Sequence, residues 1–287
     1  MQKTTYTKPS LNPFEHIANG LSNLLKYNLL TAIFTFLGLI GFFVLLSILA
    51  GFLAGAFISG GPATSLPFIY VLGIFMFLIY LGFIVWGSLS VAKIFLASAA
   101  ATKVSLGDIT SAVAARFKVG YLSYLSLLAV YEVAMLIFTA SAFFLSGSSI
   151  LAMVLPFLYF GMILIAVFRI IYLDYALIDS NVPAKVRAVF SRSSDVWLRS
   201  AGATLLLIIV LFVCIISLAF ATGGFRYYDV VNPGKLALLI IGQIIVTLSG
   251  LAGLSSIYQT VAVDPAQAAP QVPIAPTAPL APMPPKE

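Results

Sequence analysis

The chain is short of charge, of histidine and of cysteine, and each shortage closes off a class of function. Charged residues are 8% of the 287 residues, hydrophobic residues are 61%, and the mean hydropathy is +1.10. A soluble domain carries roughly 25% charged residues. A chain this poor in charge cannot cover a water-facing surface, so the solvent for most of it is lipid. His16 is the single histidine and Cys214 the single cysteine. No cluster of His ligands, no Cys-based metal site and no disulfide framework can be built from them, so neither metal nor cofactor is expected. There is no G-x-x-x-x-G-K-[ST] loop and no H-E-x-x-H helix. Nucleophilic hydrolysis needs a base beside a Ser or Cys, and the apolar segments offer no such pair. They also lack the two buried Asp residues of an intramembrane aspartyl protease. The chain reads as non-enzymatic, with no catalytic residue to place.

What is present is apolar length. Six segments, near 29–58, 67–96, 120–145, 150–173, 201–222 and 236–260, reach the roughly 20 residues needed to cross about 30 Å of hydrocarbon. The polar opening stretch, 1–28, precedes a run too long for a signal-peptide core, so that run is expected to be a retained first span. The links at 59–65 and 146–149 are short and uncharged, whereas 97–119 and 174–200 are long and polar. The expected fold is therefore all-α and polytopic, with six transmembrane helices as three hairpins. Its domains are a cytoplasmic N-terminal segment (1–28), the six-span membrane domain (29–262) and a Pro/Ala-rich disordered cytoplasmic tail (263–287).

Charge sets the orientation. Lys3, Lys8, Lys26, Lys93, Lys103, Arg116, Lys118, Arg169, Lys185, Arg187, Arg192, Arg199 and Lys286 make thirteen basic residues on one side, against Arg226 and Lys235 on the other. The positive-inside rule then places both termini in the cytoplasm. The net charge of +6 is this imbalance, not a nucleic-acid signature, and no nucleic acid is expected as a partner.

Each hairpin is preceded by an amphipathic stretch, read as an interfacial helix in the plane of the acidic leaflet. Asn12-Pro13-Phe14-Glu15 has an N-cap, a proline at the first helical position and a capping acid. Ser105-Leu106-Gly107-Asp108 repeats the cap-and-acid pattern, and Asn181-Val182-Pro183 starts a third helix without the acid. On that third helix Val186, Val189, Phe190, Ser193 and Trp197 share one arc, with Lys185, Arg192 and Arg199 on another. The threefold pattern is either an internal repeat or the amphipathic lead-in that any polytopic chain uses. In the tail, prolines at 270, 273, 276, 279, 282 and 285 follow the three-residue period of polyproline II. That segment is either a semi-rigid tail or a docking ligand for a protein partner.

Few residues invite a functional reading. Glu132 is the one carboxylate deep in a segment, where its charge costs at least about 2.5 kcal/mol. It should face the bundle or be protonated. It is either a proton or headgroup contact, or a neutral group hydrogen-bonded to a neighbour such as Gln243. Arg169, with Asp174 beyond it, is either a snorkelling end residue with a local ion pair or a lipid-phosphate contact beside Lys185, Arg187, Arg192 and Arg199. His16 is expected at the interface. Gly51 with Gly55, and Gly250 with Gly253, suggest close helix contacts. Pro156 should kink the fourth span.

Two stretches, GSLSVAKIFLASAAATKVSLGDITSAVAARFKVGYLSYLSLL (87–128) and ALIDSNVPAKVRAVFSRSSDVWLRSAGATLLLIIVL (176–211), carry a resemblance. With Ser105, Gly107, Asp108, Asp179 and Ser191 as landmarks, the chain resembles the YciC-like bacterial inner-membrane proteins. It also resembles the membrane domain attached to some glycerophosphodiester phosphodiesterases. The resemblance implies a bacterial inner-membrane location and this architecture. Where that family carries phosphodiesterase activity, it sits on a separate soluble barrel, and none is seen after residue 260, so that activity is not expected here. The expected function is that of a membrane scaffold or lipid-interacting protein meeting anionic headgroups, as a single chain or a homo-oligomer. The alternative is a small transporter or permease subunit with a separate energising partner.

Overall fold

The computed structural model describes residues 9–59, 66–144, 170–222 and 233–262, and every regular element among them is helical. In chain order they are α1 (Pro13–Asn23), a π-turn (Leu24–Asn28), α2 (Leu29–Ser59), α3 (Leu66–Ala99), α4 (Leu106–Phe144), α5 (Leu173–Ile178), α6 (Val186–Thr222) and α7 (Pro233–Ala262). Five stretches are long and apolar enough to cross a membrane: Pro13–Phe52, Val71–Ala99, Leu106–Leu136, Val186–Ala221 and Ala237–Ala262. Residues 150–169 of the fourth expected span, with Pro156 and Arg169, lie outside the described residues, as do the links at 60–65 and 146–149 and the proline-rich tail.

The caps form where the spacing places them. The Asn12 side chain accepts from Phe14 N–H at 3.1 Å, with Pro13 at the first helical position. Glu15 reaches back through Ser10, whose hydroxyl donates to its carboxylate at 2.8 Å and accepts from Asn12 N–H at 3.2 Å. Ser105 and Asp108 form a reciprocal box. Asp108 N–H donates to Ser105 Oγ at 3.2 Å, and Ser105 N–H to Asp108 Oδ2 at 2.9 Å.

The lead-ins differ from expectation. The stretch at 106–117 is the opening of a continuous 39-residue α4, and that at 186–199 the opening of a 37-residue α6. At 1.5 Å per residue, α4 is about 58 Å long, well beyond the roughly 30 Å hydrocarbon core. Its polar first turns are the opening of the span itself. No helix break separates them into an interfacial helix. The long links shrink for the same reason, to 100–105 and 179–185. The third lead-in starts at Val186, later than Asn181-Val182-Pro183 suggests, because Asp179 captures that turn: its Oδ1 accepts from Asn181 N–H at 2.9 Å.

The buried core gathers at the end where α3 finishes and α4 begins. Val85, Leu89, Ile94 and Phe95 of α3 meet Ile109 and Val113 of α4, Val189, Val196 and Leu207 of α6, and Ile257 and Tyr258 of α7. Towards the other end, residues such as Ile40, Leu45, Phe52, Ile74, Leu136, Phe212 and Ile241 are exposed on the bundle's outside. The extensive helix pairs are α6 with α7, α1 with α7, and α3 with α4. α1 crosses α7 closely, where a Cβ on Gly20 would lie 2.5 Å from the Ala252 carbonyl oxygen. His16, one turn away, is buried rather than interfacial: Nε2 lies 2.9 Å from Ser10 O and Nδ1 3.1 Å from Ser256 Oγ. Since a carbonyl only accepts, Nε2 carries the proton in this arrangement. Gly250 and Gly253 do sit against Leu211 and Leu207, whereas Gly51 and Gly55 face open space.

Candidate functional site

Two features of the packed end carry chemistry: a buried polar node around α5 and a lateral groove beside α3. α5 is a six-residue plug, with Leu173, Tyr175, Ala176, Leu177 and Ile178 all buried. Such a segment is held by side-chain hydrogen bonds, because burying a polar group without a partner is costly. Tyr172 and Thr204 share a 2.6 Å hydroxyl contact, and Tyr175 donates to Leu251 O at 2.9 Å. The rings of Tyr172, Tyr175 and Tyr258 pack with centroids 5.7–6.4 Å apart.

Asp174 accepts from Tyr124 at 2.7 Å and from Ser88 at 3.3 Å, which ties α5 to α4 and α3. Burial pushes its carboxyl above the usual carboxylate range, against the hydrogen bonds from Tyr124 and Ser88. Arg169, the ion partner expected for it, lies outside the described residues. Asp179 ties the next corner. Its Oδ2 accepts from Tyr258 at 2.9 Å and its carbonyl from Arg116 Nη2 at 3.2 Å.

The basic residues divide into used and unused. Arg192 donates to Ala262 O at 2.7 Å, capping the end of α7, and lies 3.7 Å from Asp195; Arg199 pairs with Asp195 at 2.9 Å. These two of the five expected lipid contacts are thus engaged within the protein. Lys185 and Arg187 are exposed at the start of α6 and, with Lys93, Lys103 and Lys118, make no side-chain hydrogen bond or ion pair among the described residues. Glu132 and Gln243 are exposed on α4 and α7, and they are not hydrogen-bonded to each other.

The groove has a volume of about 580 Å³, with α3 as its floor and α2 and α4 as its walls. Its depth profile follows from the antiparallel packing of α4 on α3. Ser90, Thr35 and Thr110 line one end; Phe42, Ile79 and Phe83 line the other. Trp86 and Phe117 meet midway at 5.9 Å, and Phe42 and Phe83 close the deep end at 4.9 Å. Thr35 Oγ1 is buried without a hydrogen-bond partner among the described residues. Sequence reading missed this groove, since its residues look like ordinary span residues until three helices bring them together.

These features define the class: an all-helical, multi-pass membrane protein with a polar, hydrogen-bonded node at one end. No family model, curated protein or solved structure matches the chain.

Proposed function

We propose that the protein is a non-enzymatic, lipid-interacting membrane scaffold whose packed end faces the cytoplasm and engages anionic headgroups. The proposal includes a six-span topology of three hairpins with both termini inside, in a bacterial inner membrane as the YciC-like resemblance suggests. The observation that supports it is the set of uncommitted cations, Lys93, Lys103, Lys118, Lys185 and Arg187, gathered at one end of the bundle. Nearby acids are already occupied: Asp108 by Ser105, Asp195 by Arg192 and Arg199. An anionic leaflet attracts each basic residue near its surface with about 1 kcal/mol, so this end would gather acidic lipid.

The test is lipid enrichment in nanodiscs of mixed phosphatidylglycerol and phosphatidylcholine, read by native mass spectrometry. Retained phosphatidylglycerol should exceed its bulk fraction. Replacing Lys103, Lys118, Lys185 and Arg187 with Gln should abolish the excess while leaving helicity intact. Bulk composition in the wild-type protein, or an excess untouched by the four substitutions, would remove the basis for the proposal.

A further inference from the structure

The groove beside α3 has the polarity gradient of a phospholipid, and its length matches one leaflet. From Ser90 to Ile79 the floor runs eleven residues, about 16 Å of helix. Half of a roughly 30 Å hydrocarbon core is about 15 Å. A spanning helix from a partner would need the full thickness; a single acyl chain needs only this half. The residues change along that length in the order a lipid does. Phe42, Ile79 and Phe83 are apolar and deep, Trp86 and Phe117 lie midway, and Thr35, Ser90 and Thr110 are shallow.

The shallow end also lacks something. Among the described residues Thr35 Oγ1 is buried with no hydrogen-bond partner, and a buried polar group left unmatched costs about 1–3 kcal/mol. Ser90 and Thr110 donate to carbonyls of their own helices, Trp86 O at 2.8 Å and Leu106 O at 2.9 Å. A lipid ester carbonyl at this depth would accept from Thr35. One turn beyond Ser90, on the same stripe of α3, stands Lys93, since residues 79, 83, 86, 90 and 93 alternate by three and four. Lys93 is half-buried and lies nearer than Ser90 to the end of α3, from which the chain turns into α4. The Asp108 carboxylate is itself taken up by the Ser105 N–H and hydroxyl, at 2.9 and 2.7 Å.

We propose that this groove seats one acyl chain of an anionic phospholipid from the leaflet in which α4 begins, with Thr35 at the ester level and Lys93 beside the phosphate. This rests on the lipid-interacting reading and gives it a specific site. Trp86 reports on it directly, because the chain has only two tryptophans. The experiment uses the full chain carrying Trp197→Phe, reconstituted in phosphatidylcholine vesicles with rising fractions of chain-brominated phosphatidylglycerol. Bromine quenches tryptophan on contact. Trp86 quenching at low brominated fraction should exceed, by several-fold, that expected from bulk composition.

Gly38→Leu should abolish the excess, since Gly38 lines the groove and open space stands where its Cβ would go. Gly41→Leu, equally open but off the groove, should keep it and so controls for folding. Quenching that follows bulk composition, as it would if a helix of a second copy filled the groove, overturns the proposal. So does an excess that survives Gly38→Leu. If nanodisc enrichment persists in either case, the groove assignment fails alone. Equal quenching by brominated phosphatidylcholine overturns the anionic assignment, and loss of nanodisc enrichment as well would take the broader reading with it.

Discussion

Asn28 and Val104 are 76 residues apart in sequence, yet Val104 N–H donates to Asn28 Oδ1 at 2.8 Å. The Asn28 amide also donates to Ser98 Oγ at 2.9 Å and to Thr102 O at 2.8 Å. One side chain at the start of α2 thereby satisfies the backbone that turns from α3 into α4. Asn28→Leu fills the same space but leaves the buried Val104 N–H without an acceptor, at a cost of about 1–3 kcal/mol. Thermal unfolding in detergent, followed by circular dichroism, should show a clear fall in midpoint. Asn28→Asp keeps the acceptor and loses the two donated bonds, so a Leu variant no less stable than the Asp variant contradicts the Val104 bond as the dominant contact.

The same turn holds a correctable strain. Ala101 has φ 53°, in the left-handed region, within a helix ending in which Thr102 N–H bonds Ala97 O and Ala101 N–H bonds Ser98 O. That position favours glycine, and a side chain there costs roughly 1–2 kcal/mol. After the entropy that glycine gives back to the unfolded chain, Ala101→Gly should stabilise by about 0.5–1 kcal/mol. The same unfolding measurement reads it as a raised midpoint; a lowered midpoint would mean Ala101 carries packing that outweighs its backbone.

Much of the fold was legible because membrane physics is coarse. A chain in lipid must satisfy its backbone internally, so apolar runs become helices, and the caps at Asn12 and Ser105 mark where two of the helices begin. The sequence was less informative about how helices continue. Amphipathic stripes at 109–117 and 186–197 looked like separate surface helices because polar and apolar residues alternate there, whether a helix lies flat or opens a longer span. Nothing local to Asn28 announces partners 70 to 76 residues away. His16 looked interfacial for the same reason, its Ser256 partner being 240 positions on. The groove was invisible in sequence because Phe42, Trp86 and Phe117 come from three helices. The hydroxyls of Tyr124 and Ser88 that meet Asp174 are likewise 50 and 86 positions from it.

That carboxyl makes the stability of the node depend on pH, and the sign follows from its cause. α5 belongs to none of the five spans, and burial raises the Asp174 pKa above its ordinary value. A group whose folded pKa is raised favours folding in its protonated form. Its contribution is fully present below the unfolded value and is lost as pH rises through the folded one. Asp174→Asn keeps an acceptor for Tyr124 and Ser88 and removes the titration. The wild-type protein should therefore lose thermal stability relative to Asp174→Asn as pH rises above the ordinary carboxylate range, and the two should draw together in acid. Asp174→Ala removes the acceptor and should be less stable than Asp174→Asn at every pH. A wild-type protein that outlasts Asp174→Asn at alkaline pH would show that the charged carboxylate, not its neutral form, holds α5 to Tyr124 and Ser88.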